Sequence, residues 1–240
     1  MNTKPKPEIQ IPMKTRIVLV SGLAAFTQMA LLAADKADDS GWIPLFDGKT
    51  LNGWTQHGGK AKYRVENSEI IGTSVPNTGN SFLCTDREFA NFVLELEFKV
   101  DPALNSGVQI RSHCYTEPKE YTWQGKTIKV PAGRVHGYQV EIDPSARAWS
   151  AGIYDEGRRG WLNDLKDNPT AGKAFKPGEW NRLRIECRGE SIKTWINGVA
   201  AADLKDTMTP AGLIGLQVHG VGKKEEALEI RFRNIRLKEL

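Results

Sequence analysis

Residues 137–143 read Gly-Tyr-Gln-Val-Glu-Ile-Asp. Written as a strand, this places Gln139, Glu141 and Asp143 on one face and Tyr138, Val140 and Ile142 on the other, because side chains alternate with period two. The shape recurs in Gly107-Val108-Gln109-Ile110-Arg111 and in Gly215-Leu216-Gln217-Val218-His219. Each run is glycine, apolar, glutamine, apolar, then a chargeable residue. A solvated face carries Lys, Thr or Glu in no fixed order. Three glutamines followed by Arg, Glu and His read instead as one lined, concave surface holding a carboxylate, a guanidinium and an imidazole. His136 stands just before the second run and adds another imidazole.

Each of these residues has a plain role beside a chemical one. Glu141 is the preferred base, centrally placed where neighbours can raise its pKa; its alternative is a salt bridge to Arg111. Gln109, Gln139 and Gln217 offer donors and acceptors suited to a ligand's hydroxyls, or they hold one another in a hydrogen-bonded ladder. Asp143 binds the same ligand or caps the turn at Pro144. Tyr154 and Trp161 stack on a ligand ring or pack their own loop.

Short strand-like runs must position these groups. Candidates are Tyr63–Val65, Glu69–Thr73, Phe82–Thr85, Phe92–Val100, Gly107–Ser112, Gly137–Ile142, Asn181–Arg188, Ser191–Ile196, Gly212–His219 and Leu228–Leu237. Arg188-Gly189-Glu190 joins two runs as a tight hairpin, and Asn197-Gly198 is a strong turn signal. No segment shows a long helical period, so the pattern predicts a β-sandwich or jelly roll. Residues 113–135 and 144–178 resist the strand reading. They are too long for simple connections and rich in Tyr and Trp, which predicts ordered loops bordering a cleft.

The chain has 240 residues, 40% hydrophobic and 26% charged, an ordinary globular composition. Lys14 and Arg16, the apolar run Ile17–Ala34 and the ending Leu32-Ala33-Ala34 predict an export signal over residues 1–34, with Met13 a possible true start. Its cleavage would leave no stable membrane anchor, and the expected location is the bacterial periplasm or the medium. Residues 35–240 carry 29 basic and 28 acidic side chains, leaving no basic stripe to argue for nucleic acid. Cys84, Cys114 and Cys187 cannot all pair within one chain. Cys187 reads as a buried free thiol, while a Cys84–Cys114 bridge is open in an oxidising compartment.

Further stretches carry a resemblance. Trp42-Ile43-Pro44-Leu45-Phe46-Asp47-Gly48-Lys49-Thr50-Leu51-Asn52-Gly53-Trp54 resembles the opening of the 3-keto-disaccharide hydrolase domain, and Phe232-Arg233-Asn234-Ile235-Arg236 resembles its close. Between them Ser106–Arg111, His136–Glu141, Gly152-Ile153-Tyr154-Asp155 and Gly178-Glu179-Trp180-Asn181 are similar to family stretches in the same order. The resemblance spans residues 42–240. It implies a concanavalin A-like jelly-roll sandwich of two antiparallel sheets and a carbohydrate substrate oxidised at its third carbon. Family members are described as hydrolases or as lyases.

A 3-keto group acidifies the hydrogen on the second carbon. A base removes it, the group on the first carbon leaves, and added water gives net hydrolysis. Such a site needs a base, an acid for the leaving oxygen and a holder for the enolate charge. The resemblance thus gives Glu141 as base, His219 or His136 as acid or second base, and Arg111 as binder of the enolate oxygen or merely the neutraliser of Glu141. Glu141-Ile142-Asp143 resembles half of the Glu-x-Asp-x-x-Glu strand of concanavalin A-like glucanases. Pro144-Ser145-Ala146 follows, without a second Glu, so the matched carboxylates of a retaining glycosidase are missing from this strand. No cofactor is implied. A metal held by His113, His136, Glu141, Asp143 and His219 has no local ligand spacing to support it and stays unassigned, as does the oligomeric state. A non-catalytic carbohydrate-binding module is the competing reading.

Overall fold

A computed structural model describes Met1, Asn2, Lys4 and residues 40–240. The expected export segment, apart from those three residues, lies outside the described residues. In chain order the strands are β1 (Trp42–Pro44), β2 (Trp54–Gly58), β3 (Lys62–Glu66), β4 (Glu69–Thr73), β5 (Ser81–Thr85), β6 (Phe92–Val100), β7 (Ser106–His113), β8 (Lys119–Trp123) and β9 (Lys126–Val130). They continue with β10 (His136–Ile142), β11 (Ile153–Glu156), β12 (Gly160–Asn163), β13 (Asn181–Arg188), β14 (Ser191–Ile196), β15 (Val199–Lys205), β16 (Leu213–Val218) and β17 (Glu229–Glu239). One short helix, α1 (Pro169–Ala174), is capped by Asn168, whose side chain accepts from Ala171 N.

All of these strands except β8 and β9, which pair with each other, form the two antiparallel sheets of a jelly-roll sandwich. The eight-stranded sheet runs β15-β14-β13-β6-β17-β4-β3, with β1 added on β17; the seven-stranded sheet runs β12-β11-β10-β7-β16-β5-β2. Period-two patterning explains the packing. Phe92, Leu94, Leu96 and Phe98 of β6 and Leu183, Ile185 and Cys187 of β13 point between the sheets, where they meet Val108, Ile110, Val140, Ile142, Leu216 and Val218. Truncating any one of the buried phenylalanines would cost about 3–5 kcal/mol. On the outer face of the eight-stranded sheet Glu95 accepts from Arg182, Arg184 and Arg236.

The two segments that resisted a strand reading contain strands. Residues 113–135 form the hairpin β8–β9, turning at Gln124 and Gly125, both with positive φ. Residues 144–178 contain β11, β12 and α1. All three cysteines are free. Cys84 of β5 and Cys114, just past the end of β7, share a small cluster with Phe82, Val135 and Leu213 without bonding to each other. Cys187 is fully buried, and burial pushes its thiol up to about 12.

Candidate active site

The outer face of the seven-stranded sheet carries the repeated motif, and the packing explains each part of it. Gln139 on β10 pairs with Gln109 on β7, and Gln109 with Gly215 on β16. Gln139 Oε1 accepts from both Gln109 Nε2 and Gln217 Nε2 at 2.8 Å. Ser112 Oγ donates to Gln109 Oε1, also at 2.8 Å. The glycines make room for this layer. A Cβ on Gly107 would stand 2.6 Å from Gln139 Cγ, and one on Gly215 would stand 2.9 Å from Cys84 Sγ and 3.2 Å from Gln109 Cβ. Gly107 therefore clears the space that Gln139 fills, and Gly215 the space between Cys84 and Gln109. Gln109 and Gln217 are completely buried, so they form the ladder beneath the surface, and only Gln139 of the three lines the cleft above.

That cleft encloses about 720 Å³. Glu141, Asp143, Tyr154, Trp161 and His219 line it, together with Asn105, Arg134, Arg147 and Glu156. Glu141 is only 4% exposed. Asn105 Nδ2 donates to its Oε1 and Gln139 Nε2 to its Oε2, both at 2.7 Å. Burying a carboxylate costs several kcal/mol even after relaxation, while a hydrogen bond to a charged group returns about 1.5–3 kcal/mol. Burial wins. It raises the Glu141 carboxyl above its ordinary value, the charge of Asp143 adds to the rise, and the two amides and Arg147 oppose it.

Asp143 goes the other way. Burial raises it, but Ser145 and Arg147 outweigh burial and hold the carboxyl below the ordinary range. Its Oδ1 accepts from Ser145 N at 3.1 Å, capping the turn after Pro144, and its Oδ2 accepts from Arg147 Nε at 2.8 Å. Two neighbouring carboxyls with opposite shifts suit opposite tasks, one a proton acceptor and one a fixed charge. Tyr154 and Trp161 meet edge to face at 5.3 Å, and Trp161 meets Trp149 likewise at 4.8 Å. His219 donates from Nδ1 to Gly220 O at 2.8 Å, since a carbonyl only accepts. Its Nε2 is therefore the nitrogen left for proton exchange.

Arg111 and His136 lie elsewhere. The register of β7 against both neighbours shifts beside Arg111, whose φ is +45°. Such irregularities re-aim side chains. Arg111 is completely buried and donates to Ala90 O and Gly189 O at 2.8 Å and to Asn91 Oδ1 at 3.3 Å. Neither expected role of Arg111, binding an enolate or neutralising Glu141, fits that position; the arginine beside Glu141 is Arg147, at 3.9 Å.

His136 has both nitrogens committed, with Nδ1 donating to Arg134 O and Nε2 accepting from Tyr121 Oη, both at 2.8 Å. Its ring packs among His113, Tyr115 and Tyr121 under the β8–β9 segment. The five residues considered for a metal are thereby divided. His113 and His136 sit in this ring cluster, whereas Glu141, Asp143 and His219 line the cleft. Among the described residues no three His, Cys, Asp or Glu side chains are grouped as metal ligands.

Known proteins bear on this site. A 3-keto-disaccharide hydrolase of Bacteroides thetaiotaomicron is 25% identical over 248 residues, covering 85% of this chain and 80% of that protein. The fold is similar to a candidate glycosyl hydrolase from Parabacteroides distasonis, with TM-score 0.54, 18% identity, and 83% and 94% of the two chains covered. It is also similar to the carbohydrate-binding module CBM66 from Bacillus subtilis, with TM-score 0.53, 16% identity, and 78% and 96% covered. The model of the 3-keto-alpha-glucoside-1,2-lyase-like domain matches residues 41–238, and the chain belongs to that family.

Proposed function

We propose that the protein cleaves the glycosidic bond of 3-keto-glycosides, with Glu141 as the base. The observation that carries this reading is a buried carboxylate held by Asn105 and Gln139 at the floor of a sugar-sized cleft, where burial pushes its pKa up. A raised pKa makes the carboxylate a stronger proton acceptor once it is ionised. Glu141 takes the hydrogen on the second carbon, and the electrons of that bond move onto the 3-oxygen as an enolate. The carbonyl then re-forms, a double bond develops between the first and second carbons, and the bond to the leaving oxygen breaks. His219 supplies the proton to that oxygen from Nε2, which requires the ring to enter the step as imidazolium and leave it neutral, with Nδ1 still donating to Gly220 O. Water added across the double bond completes a net hydrolysis; its omission leaves the unsaturated 3-keto sugar.

The family's description and the name of the Bacteroides relative support the substrate class. The likeness to a carbohydrate-binding module supports the second reading, a binder without turnover. Incubation with a methyl 3-keto-glucoside, with products resolved by mass, separates the two. A released aglycone is expected, and binding with no release would favour the module. The products of elimination and hydrolysis differ by one water. Export of the mature domain to the periplasm or medium completes the proposal, and N-terminal sequencing of secreted protein tests it. Material beginning near residue 35 is expected; a retained Met1 or Met13 would count against export.

A further inference from the structure

We propose that Arg147 is a catalytic residue, taking up the charge that develops on the 3-oxygen while Glu141 removes the neighbouring hydrogen. The inference rests on the function proposed above. A base and an oxyanion holder must face the same edge of the sugar, since the keto oxygen and the acidic hydrogen sit on adjacent carbons. Arg147 Nη2 lies 3.9 Å from Glu141 Oε1, and Arg147 lines the same cleft.

Its guanidinium is fixed from three sides. Asp143 Oδ2 accepts from Nε at 2.8 Å, and the rings of Trp149 and Trp161 lie 4.8 and 5.2 Å from Cζ. The loop that carries it holds Ala148 and Ala151 at φ +56° and +73°. Non-glycine residues in that region store strain, and such strain gathers where geometry is held for function. Nη1 and Nη2 donate to no acceptor among the described residues, while the side chain is 42% exposed. The donors that face the cleft are thus preorganised and unspent.

The other arginines of the cleft are each tied to a carboxylate away from Glu141. Arg134 is paired with Glu156 at 2.6 Å. Arg158 is paired with Asp155 at 2.6 Å, and its Nη1, although it has no hydrogen-bond partner, belongs to a completely buried side chain. In the proposed step Arg147 donates two hydrogen bonds to the 3-oxygen as the electrons of the carbon–hydrogen bond reach it. It releases that charge when the carbonyl re-forms and the leaving group departs. No proton leaves the guanidinium.

The test uses Arg147→Met and Arg147→Lys in the full protein with a methyl 3-keto-glucoside in D2O. Three quantities are read: kcat and KM, exchange of the hydrogen on the second carbon, and the acid limb of the pH profile. The charged groups facing Glu141 are Asp143 and Arg147, with the Tyr154 phenol nearby. Loss of Arg147 should therefore move the acid limb to higher pH. In Arg147→Met, kcat and exchange should fall together by about 10²–10³-fold, the usual worth of one oxyanion donor. KM should stay within about threefold, as expected when the lost contact forms only in the transition state.

Arg147→Lys keeps the charge and loses the fork, so it should recover part of the rate. If Arg147→Met does not fold, Arg147→Lys decides: wild-type kcat with an unmoved acid limb overturns the proposal. So does a fall in kcat without a fall in exchange, or a raised KM and lowered melting temperature at unchanged kcat. A wild-type protein that neither exchanges nor releases product would instead overturn the underlying function.

Discussion

Gln139 holds Glu141 from two residues away on the same strand, donating from Nε2 to Oε2 at 2.7 Å. The same amide accepts through Oε1 from Gln109 and Gln217. Its orientation is therefore set by two other strands, and with it the position of the carboxylate.

Glu141→Gln keeps the size of the side chain and removes its ability to take a proton. Turnover should fall by about 10²–10⁴-fold. The fold should also lose stability, because Asn105 and Gln139 both donate to the native carboxylate and a carboxamide offers only one accepting atom. Leaving a buried donor unpaired costs about 1–3 kcal/mol, with roughly 2–4 °C of Tm per kcal/mol in a domain of this size. Calorimetry alongside kinetics checks both halves, and wild-type turnover would remove Glu141 from the mechanism.

The pH dependence has a definite sign for each carboxyl. Glu141 is raised in the fold, so its contribution to stability is full below the unfolded pKa and is lost as pH rises through the folded value. Asp143 is lowered, so its contribution is present above the unfolded pKa and is lost as pH falls through the folded one. Activity requires ionised Glu141, so kcat/KM should fall on the acid side with an apparent pKa above the ordinary Glu value of about 4.3. Asp143→Asn removes a nearby negative charge and frees Arg147 to approach Glu141, and both effects lower that limb. A pH–rate profile in which the limb stays or rises would contradict the assignment.

Gly107→Ala tests the glutamine layer. The backbone at Gly107 has ordinary φ, but the new Cβ would lie 2.6–2.9 Å from the Gln139 side chain. Displacing Gln139 breaks its bonds to Gln109, Gln217 and Glu141. Overpacking of this kind costs about 1–3 kcal/mol. Loss of the Gln139 hydrogen bond should also carry the acid limb of the pH–rate profile upward. A variant with unchanged melting and unchanged pH profile would show that the layer yields without consequence.

Arg111→Met separates structure from chemistry. It strands Ala90 O and Gly189 O, while Asn91 Oδ1 keeps its bond from Gly189 N, and should destabilise the fold by about 2–4 kcal/mol. In the protein that remains folded, kcat should stay within about twofold of wild type, the behaviour of a residue that makes no transition-state contact. A large loss of kcat at unchanged stability would return Arg111 to the site.

Much of the scaffold was legible because burial writes itself as alternation. β4, β6, β13 and β14 begin and end where the pattern predicts, since each has one face against the core. The β8–β9 hairpin escaped because Lys119, Glu120, Thr122 and Trp123 are all exposed, so no core-facing period marks it. β15 follows the recognised Asn197-Gly198 turn but opens Val-Ala-Ala-Ala, which has no alternation.

The site was legible in proportion to its regularity. Parity alone put Gln139, Glu141 and Asp143 on one face. The same parity, carried two residues ahead of Gly107, would have found Asn105. It failed at Arg111 because a register shift breaks the count. Arg147 sits in a turn, where direction is set by Asp143 and two tryptophans and not by any period.

Arg111 has a consequence of a different kind. Its guanidinium leaves the cleft-bearing sheet and ends on the backbone of Gly189, the hairpin turn between β13 and β14 in the opposite sheet. The strand beneath the cleft is thereby bolted to the far wall of the sandwich. The residues above it, from Ser145 to Trp161, stand on turns and on the short strands β11 and β12 at one side of the sheet. For protein engineering this divides the molecule into a chassis and an exchangeable rim: loops grafted between β10 and β12 can change what enters the cleft, while the glutamine floor and its strut carry over intact.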